Sequence, residues 1–135
     1  MKPKNLENRI VQRLARTRRN VFLRDDFNDL GGYDQVGRVL RRLVRTGQLV
    51  KIGHGLYTKA APSPFDGTPA PMKGLRVLAS EALDRLGIAT APTRLEHAYQ
   101  AGQTTQVPAG RAIAVTKRVR RRIGYNGTFV SFERA

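Results

Sequence analysis

No cysteine occurs in the chain, which excludes disulfides and thiolate metal sites and leaves the compartment open. Acidic residues are scarce, with 10 Asp and Glu against 25 Lys and Arg in 135 residues, so the net charge is +15. That imbalance, with an isoelectric point near 11.5, implies an anionic partner: DNA, RNA or a membrane surface. No apolar run approaches the roughly 20 residues of a spanning helix. The opening Met1-Lys2-Pro3-Lys4-Asn5 also lacks the apolar stretch of a secretion signal, so a cytoplasmic protein without a membrane partner is expected. Enzyme signatures are missing too: there is no Gly-x-Ser-x-Gly, no phosphate-binding glycine loop and no His-Glu-x-x-His. His54 and His97 fall in different expected domains. Asp25, Asp26 and Asp29 imitate a metal cluster, but their place at the start of a short helix points to capping and dipole stabilisation. No catalysis, cofactor or metal is expected.

What is abundant is arginine, at 19 of the 25 basic residues. Arginine suits bidentate contact with phosphate and guanine, although codon bias alone is able to produce the same ratio. Its placement is more informative. Over residues 34–46, Val36, Val39, Leu40, Leu43 and Val44 recur at helical spacing, while Arg38, Arg41, Arg42 and Arg45 keep that spacing two residues out of phase. At roughly 100° per residue the two sets centre about 180° apart, so one face anchors in a core and the other presents guanidinium groups. Gly47, the apolar run from Leu49 to Ile52, the turn Gly53-His54-Gly55 and Leu56-Tyr57-Thr58 then predict a tight hairpin.

Upstream, Leu6, Ile10 and Leu14 predict a first amphipathic helix, Val21-Phe22-Leu23 a strand joining the hairpin, and Asp25 or Asp26 the start of a brief helix that buries Phe27 and Leu30 and ends at Gly31-Gly32. The order helix, strand, helix, turn, helix, hairpin is that of a winged helix-turn-helix, expected over residues 1–59. Residues 60–73, with Pro62, Pro64, Pro69 and Pro71, read as an extended linker that holds no helix or central strand. A compact α+β module is expected over 74–135. It has a helix from Leu75 to Leu86 stopped by Gly87, a second helix opened by the capping box Thr93-Arg94-Leu95-Glu96, and a strand from Ala112 to Thr116. A type I′ hairpin at Asn126-Gly127 follows, pairing Tyr125 with Thr128, Ile123 with Val130 and Arg121 with Phe132. The fold class is thus α+β.

The segment Val36-x-x-Val39-Leu40-x-Arg42-Leu43-x-Arg45-x-Gly47-x-Leu49-x-Lys51-Ile52-Gly53-x-Gly55-Leu56-Tyr57 resembles the signature of the AbiEi-like antitoxins of type IV toxin–antitoxin systems. Gln103-Thr104-Thr105-Gln106-Val107-Pro108, after Ala98 and Gly102, is similar to a second segment of that family, and the likeness extends over nearly the whole chain. The resemblance implies a bacterial, nucleoid-associated DNA-binding repressor, encoded beside a nucleotidyltransferase toxin and acting on its own promoter. Members are commonly longer, so the second module is expected to be short by comparison. His54 stands where an arginine is frequent at the wing tip.

Within the arginine face only residues near the helix start reach deep into a major groove. Tyr33, Gln35 and Arg38 are therefore the candidates for base readout, with Gln35 suited to adenine and Arg38 to guanine, and Arg41, Arg42 and Arg45 the candidates for phosphate. Asp34 reads as a helix-start carboxylate favoured by the dipole. Lys51, His54 and Lys59 are candidate wing contacts, the histidine equally a plain turn residue, and Arg18, Arg19 and Arg24 candidate phosphate clamps. A second cluster, Lys117, Arg118, Arg120, Arg121 and Arg122, is expected to alternate along a strand. It would grip DNA, bind RNA or dock an acidic partner, unless Arg120 simply pairs with Glu133. The leading expectation is a duplex-DNA-binding repressor acting as a dimer or cooperatively. The rivals are an RNA-binding or ribosome-associated protein and an antitoxin that contacts its toxin directly.

Overall fold

The computed structural model describes residues 5–108 and 110–135. It is a mixed α+β chain of two compact units, Met1–Met72 and Lys73–Ala135.

The first unit opens with α1 (Leu6–Arg16), capped by the Asn5 side chain, which accepts the Asn8 N–H at 2.8 Å. Ile10 and Leu14 form its buried stripe. Strand β1 (Val21–Leu23) leads into a short 3-10 turn (Arg24–Phe27), where the Asp26 carboxylate accepts the Leu23 N–H at 2.8 Å. Helix α2 (Tyr33–Arg45) buries Val36, Val39, Leu40 and Leu43, one residue earlier at each end than the periodicity gives. It ends where Gly47 takes a φ of 81° and the Gln48 N–H returns to the Leu43 carbonyl at 2.9 Å, a left-handed exit that favours glycine. Strands β2 (Leu49–Gly53) and β3 (Leu56–Pro62) form a hairpin, and β1 pairs antiparallel with β3 in the register Val21↔Thr58. Ile10, Phe22, Phe27, Leu40, Leu43, Leu49 and Tyr57 meet in one core.

The expected linker is built into the sheet. Residues 60–62 extend β3, and β4 (Pro69–Pro71) pairs with them antiparallel, Ala60 opposite Pro71 and Pro62 opposite Pro69. Proline removes a ladder donor and is tolerated at an edge, which is where β4 lies. The connecting turn closes through Ser63 N–H to the Thr68 carbonyl at 2.8 Å and through Asp66, whose carboxylate accepts both the N–H and the hydroxyl of Thr68.

The second unit contains α3 (Leu75–Arg85), β5 (Thr90–Ala91), α4 (Arg94–Gln100), β6 (Ala112–Val115), β7 (Gly124–Tyr125), β8 (Thr128–Phe129) and β9 (Ser131–Arg134). The capping box forms as its spacing requires: Thr93 Oγ1 accepts the Glu96 N–H at 3.1 Å and Glu96 accepts the Thr93 N–H at 3.2 Å. Asn126 and Gly127 take φ values of 52° and 77°, and Tyr125 faces Thr128. Val130 N–H donates to the Ile123 carbonyl at 2.9 Å, but the expected ladder stops there. Phe132 pairs with Ile113 of β6 in a parallel register and not with Arg121. The apolar strand Ala112–Val115 offers β9 a buried neighbour that the arginine-rich segment does not. Residues 118–123 therefore lie outside any strand, and the alternation expected of them is absent.

Candidate nucleic-acid interface

Helix α2 sets its two faces as the sequence pattern dictates. Arg38, Arg41, Arg42 and Arg45 are exposed, opposite the buried valines and leucines. Tyr33, Asp34 and Gln35 are exposed at the helix start, Tyr33 at 60%. Arg42 is tied back to α1, its Nη1 standing 3.3 Å from Glu7 Oε1. At the far end of the β2–β3 hairpin, Lys51 and His54 are exposed on either side of a bulge between Lys51 and Gly53, and Gly55 turns the chain at a φ of 69°.

Several of the expected wing and phosphate contacts have other engagements. Lys59 donates from Nζ to the Thr17 carbonyl at 2.7 Å and sits over the Phe22 ring, so its ammonium is directed to the end of α1 and away from the hairpin tip. Arg19 lies 3.5 Å from Asp26 Oδ2, and Arg18 is exposed. Arg24 is folded onto the start of α2: Nε and Nη2 donate to the Tyr33 carbonyl at 2.9 and 2.5 Å, and Cζ stands 3.4 Å from the centre of the Tyr33 ring. Burial pushes the Tyr57 phenol up, with the guanidiniums of Arg24 and Arg41 pulling it the other way.

Two features escaped the sequence reading. Arg13 makes a two-pronged bond to Asp29 at 2.5 and 2.7 Å and donates to the Asp26 carbonyl at 3.0 Å, joining α1 to the turn before α2. The hydrogen bond from Arg13 holds the Asp29 carboxyl below the usual carboxylate range. Of the aspartates that imitated a metal cluster, Asp26 serves the Leu23 N–H and Asp29 an arginine, and among the described residues no three His, Cys, Asp or Glu side chains gather as metal ligands. The other feature is Gly37, in the middle of a helix where glycine costs about 1 kcal/mol relative to alanine. A Cβ there would stand 2.3 Å from Arg24 Nη2, so the bare backbone is the floor on which that guanidinium rests. Only an unusual mid-helix glycine signalled it in the sequence.

The second cluster belongs to the other unit. Lys117, Arg118, Arg120, Arg121 and Arg122 are exposed, with Arg122 Cζ 4.4 Å from the Phe129 ring centre. Glu133 takes Arg94 as its partner and not Arg120: the Arg94 N–H donates to Glu133 Oε2 at 2.8 Å. Glu96 also pairs with Arg76. Burial alone would raise the Glu96 pKa, but the N–H and hydroxyl of Thr93 and the Arg76 guanidinium outweigh it and hold the carboxyl low.

The architecture and the surface define a mixed α+β protein with an arginine-faced helix beside a β-hairpin. The model of DUF6088, a family of unknown function, matches residues 9–134, and the chain belongs to that family. No curated protein and no solved structure matches it. Among the described residues no helix is long and apolar enough to cross a membrane.

Proposed function

We propose that the chain is a sequence-specific duplex-DNA-binding repressor whose first unit is a winged helix-turn-helix. The observation that carries this reading is α2 itself, which buries one face through Val36, Val39, Leu40 and Leu43 and leaves four arginines on the other. Around it stand α1, the 3-10 turn, and a hairpin with Lys51 and His54 near its tip, in the order such a module requires. In this reading the first turn of α2 enters the major groove, Gln35 and Arg38 meet base edges, and Arg41 and Arg45 meet phosphates. Arg42 would have to leave Glu7 to join them. The net charge of +15 supplies long-range attraction to DNA without selecting a sequence.

The resemblance to AbiEi-like antitoxins adds the biological setting: repression of its own promoter beside a nucleotidyltransferase toxin, in the bacterial cytoplasm, with paired half-sites engaged by a dimer or cooperatively. The test is a fluorescence-anisotropy titration of the full chain against the DNA upstream of its own gene, a scrambled duplex and a structured RNA at several salt concentrations. Selective binding to the upstream duplex that survives added salt is the expected result. Equal binding to all three that collapses with salt would reduce the finding to a polycation and favour an RNA-associated role.

A further inference from the structure

The guanidinium of Arg24 is the most heavily engaged cation near the start of α2, and its contacts all converge on one turn of that helix. It donates twice to the Tyr33 carbonyl, covers the Tyr33 ring, stands 3.8 Å from Asp34 Oδ1, and occupies the space that a side chain at position 37 would fill. Tyr33 and Gly37 are one helical turn apart, so the guanidinium lies along a single face of the first turn. Its side chain is 22% exposed, whereas Tyr33 is 60% exposed. An exposed tyrosine at a helix start ordinarily samples several rotamers, and a cation stacked on its ring selects among them. A group with these internal partners is poorly placed to neutralise a phosphate, because binding one would break two hydrogen bonds and the ring contact.

We infer that Arg24 is a positioning residue that fixes Tyr33 as a base-contacting, specificity-determining side chain at the start of α2, with Gly37 required because only a missing Cβ leaves room for the guanidinium. The inference rests on the reading of α2 as the DNA-recognition helix. Tyr33 then brings one phenol hydroxyl, both donor and acceptor, and one ring edge to the base pairs beside those met by Gln35 and Arg38. The three-way contact accounts for an arginine, an exposed tyrosine and a mid-helix glycine standing together.

The test compares the full chain with R24A, G37A, Y33F and R38A by anisotropy, using the duplex upstream of its own gene and a scrambled duplex across a salt series, with thermal unfolding to verify folding. G37A is the decisive variant, because it keeps the Arg24 charge and improves helix propensity while filling the guanidinium's place. R24A and G37A are both expected to lower the ratio of upstream to scrambled affinity about five- to tenfold, the lower end of the range for one base contact. Their salt slopes should stay near that of the unaltered chain, and Y33F should reproduce part of the loss. If R24A flattened the slope by about 0.9, the value of one phosphate contact, with selectivity intact and G37A unaltered, Arg24 would be a phosphate clamp and the inference overturned. Unchanged selectivity in R24A and G37A alongside a loss in R38A would overturn the inference and leave the DNA reading standing. Unchanged selectivity in R38A as well would remove that reading and this inference with it.

Discussion

Arg38 and Arg45 share the exposed face of α2, two turns apart, and the proposed docking gives them different work. Arg38 lies in the part of the helix that reaches base edges, so Arg38→Ala is expected to cost about 1–3 kcal/mol on the upstream duplex and to relax preference at one or two positions. Arg45, in the last turn, would neutralise phosphate, so Arg45→Ala should weaken every duplex nearly alike and flatten the salt dependence. Equal effects of both changes on specific and random DNA would contradict the division of roles. Of the carboxylates held below their ordinary range, which include Asp66 with its hydrogen bonds from Thr68, two join separate elements and carry a pH dependence of a different kind. Asp29, held low by its hydrogen bond from Arg13, and Glu96, held low by Thr93 and Arg76 against its burial, both have folded pKa values below their unfolded ones. Such groups stabilise the fold fully above the ordinary carboxylate range, and the contribution is lost as pH falls through the folded values. Thermal midpoints should therefore drop on acidification below roughly pH 4, with a shallower drop in Asp29→Asn and Glu96→Gln. An acid limb as steep in both variants as in the unaltered chain would place the dependence elsewhere.

At the scale of elements, local patterns were legible in the sequence and long-range choices were not. The spacing of Val36, Val39, Leu40 and Leu43 gives α2 and its buried face because helical period alone decides which side chains share a side. Thr93 with Glu96 and Asn126 with Gly127 each specify a local hydrogen-bonding or φ requirement, and both form. The proline-rich stretch misleads because proline forbids a central strand and permits an edge one; which applies depends on β3 lying beside it. The partner of β9 likewise depends on β6, some 20 residues earlier in the chain, and no local motif announces it. Within the candidate site, the exposed arginines of α2 follow from periodicity, but the engagements of Lys59 with Thr17, Arg24 with Tyr33 and Arg13 with Asp29 join residues distant in sequence. The junction of α2 with the sheet is a corner that can be tested directly. Gly47 has a φ of 81°, and a Cβ on it would stand 2.9 Å from Pro69 Cγ. Gly47→Ala is expected to destabilise the first unit by about 1–2 kcal/mol from the left-handed backbone, with a further cost if β4 must shift. Denaturant unfolding reads the change: a neutral result would contradict the left-handed exit at Gly47, and a loss beyond about 2 kcal/mol would report the clash with Pro69.

For the molecule as a whole, the excess of cations and the α2 face predict different behaviour toward nucleic acid. Net charge of +15 attracts any polyanion, and its effect fades as salt shortens the screening length. A recognition helix instead localises contact to a few side chains and holds selectivity when attraction is screened. The two units allow this distinction to be drawn within one chain, since the arginine-faced helix belongs to the first and the cluster from Lys117 to Arg122 to the second. The most direct measurement is the map of backbone amide chemical-shift changes in the isotope-labelled full chain on adding the upstream duplex at elevated salt. Changes concentrated on residues 33–45 and on the hairpin tip around Lys51 and His54 are the expected result. Changes spread over every exposed basic residue, or confined to the second unit with α2 unaffected, would contradict the proposal that α2 reads DNA.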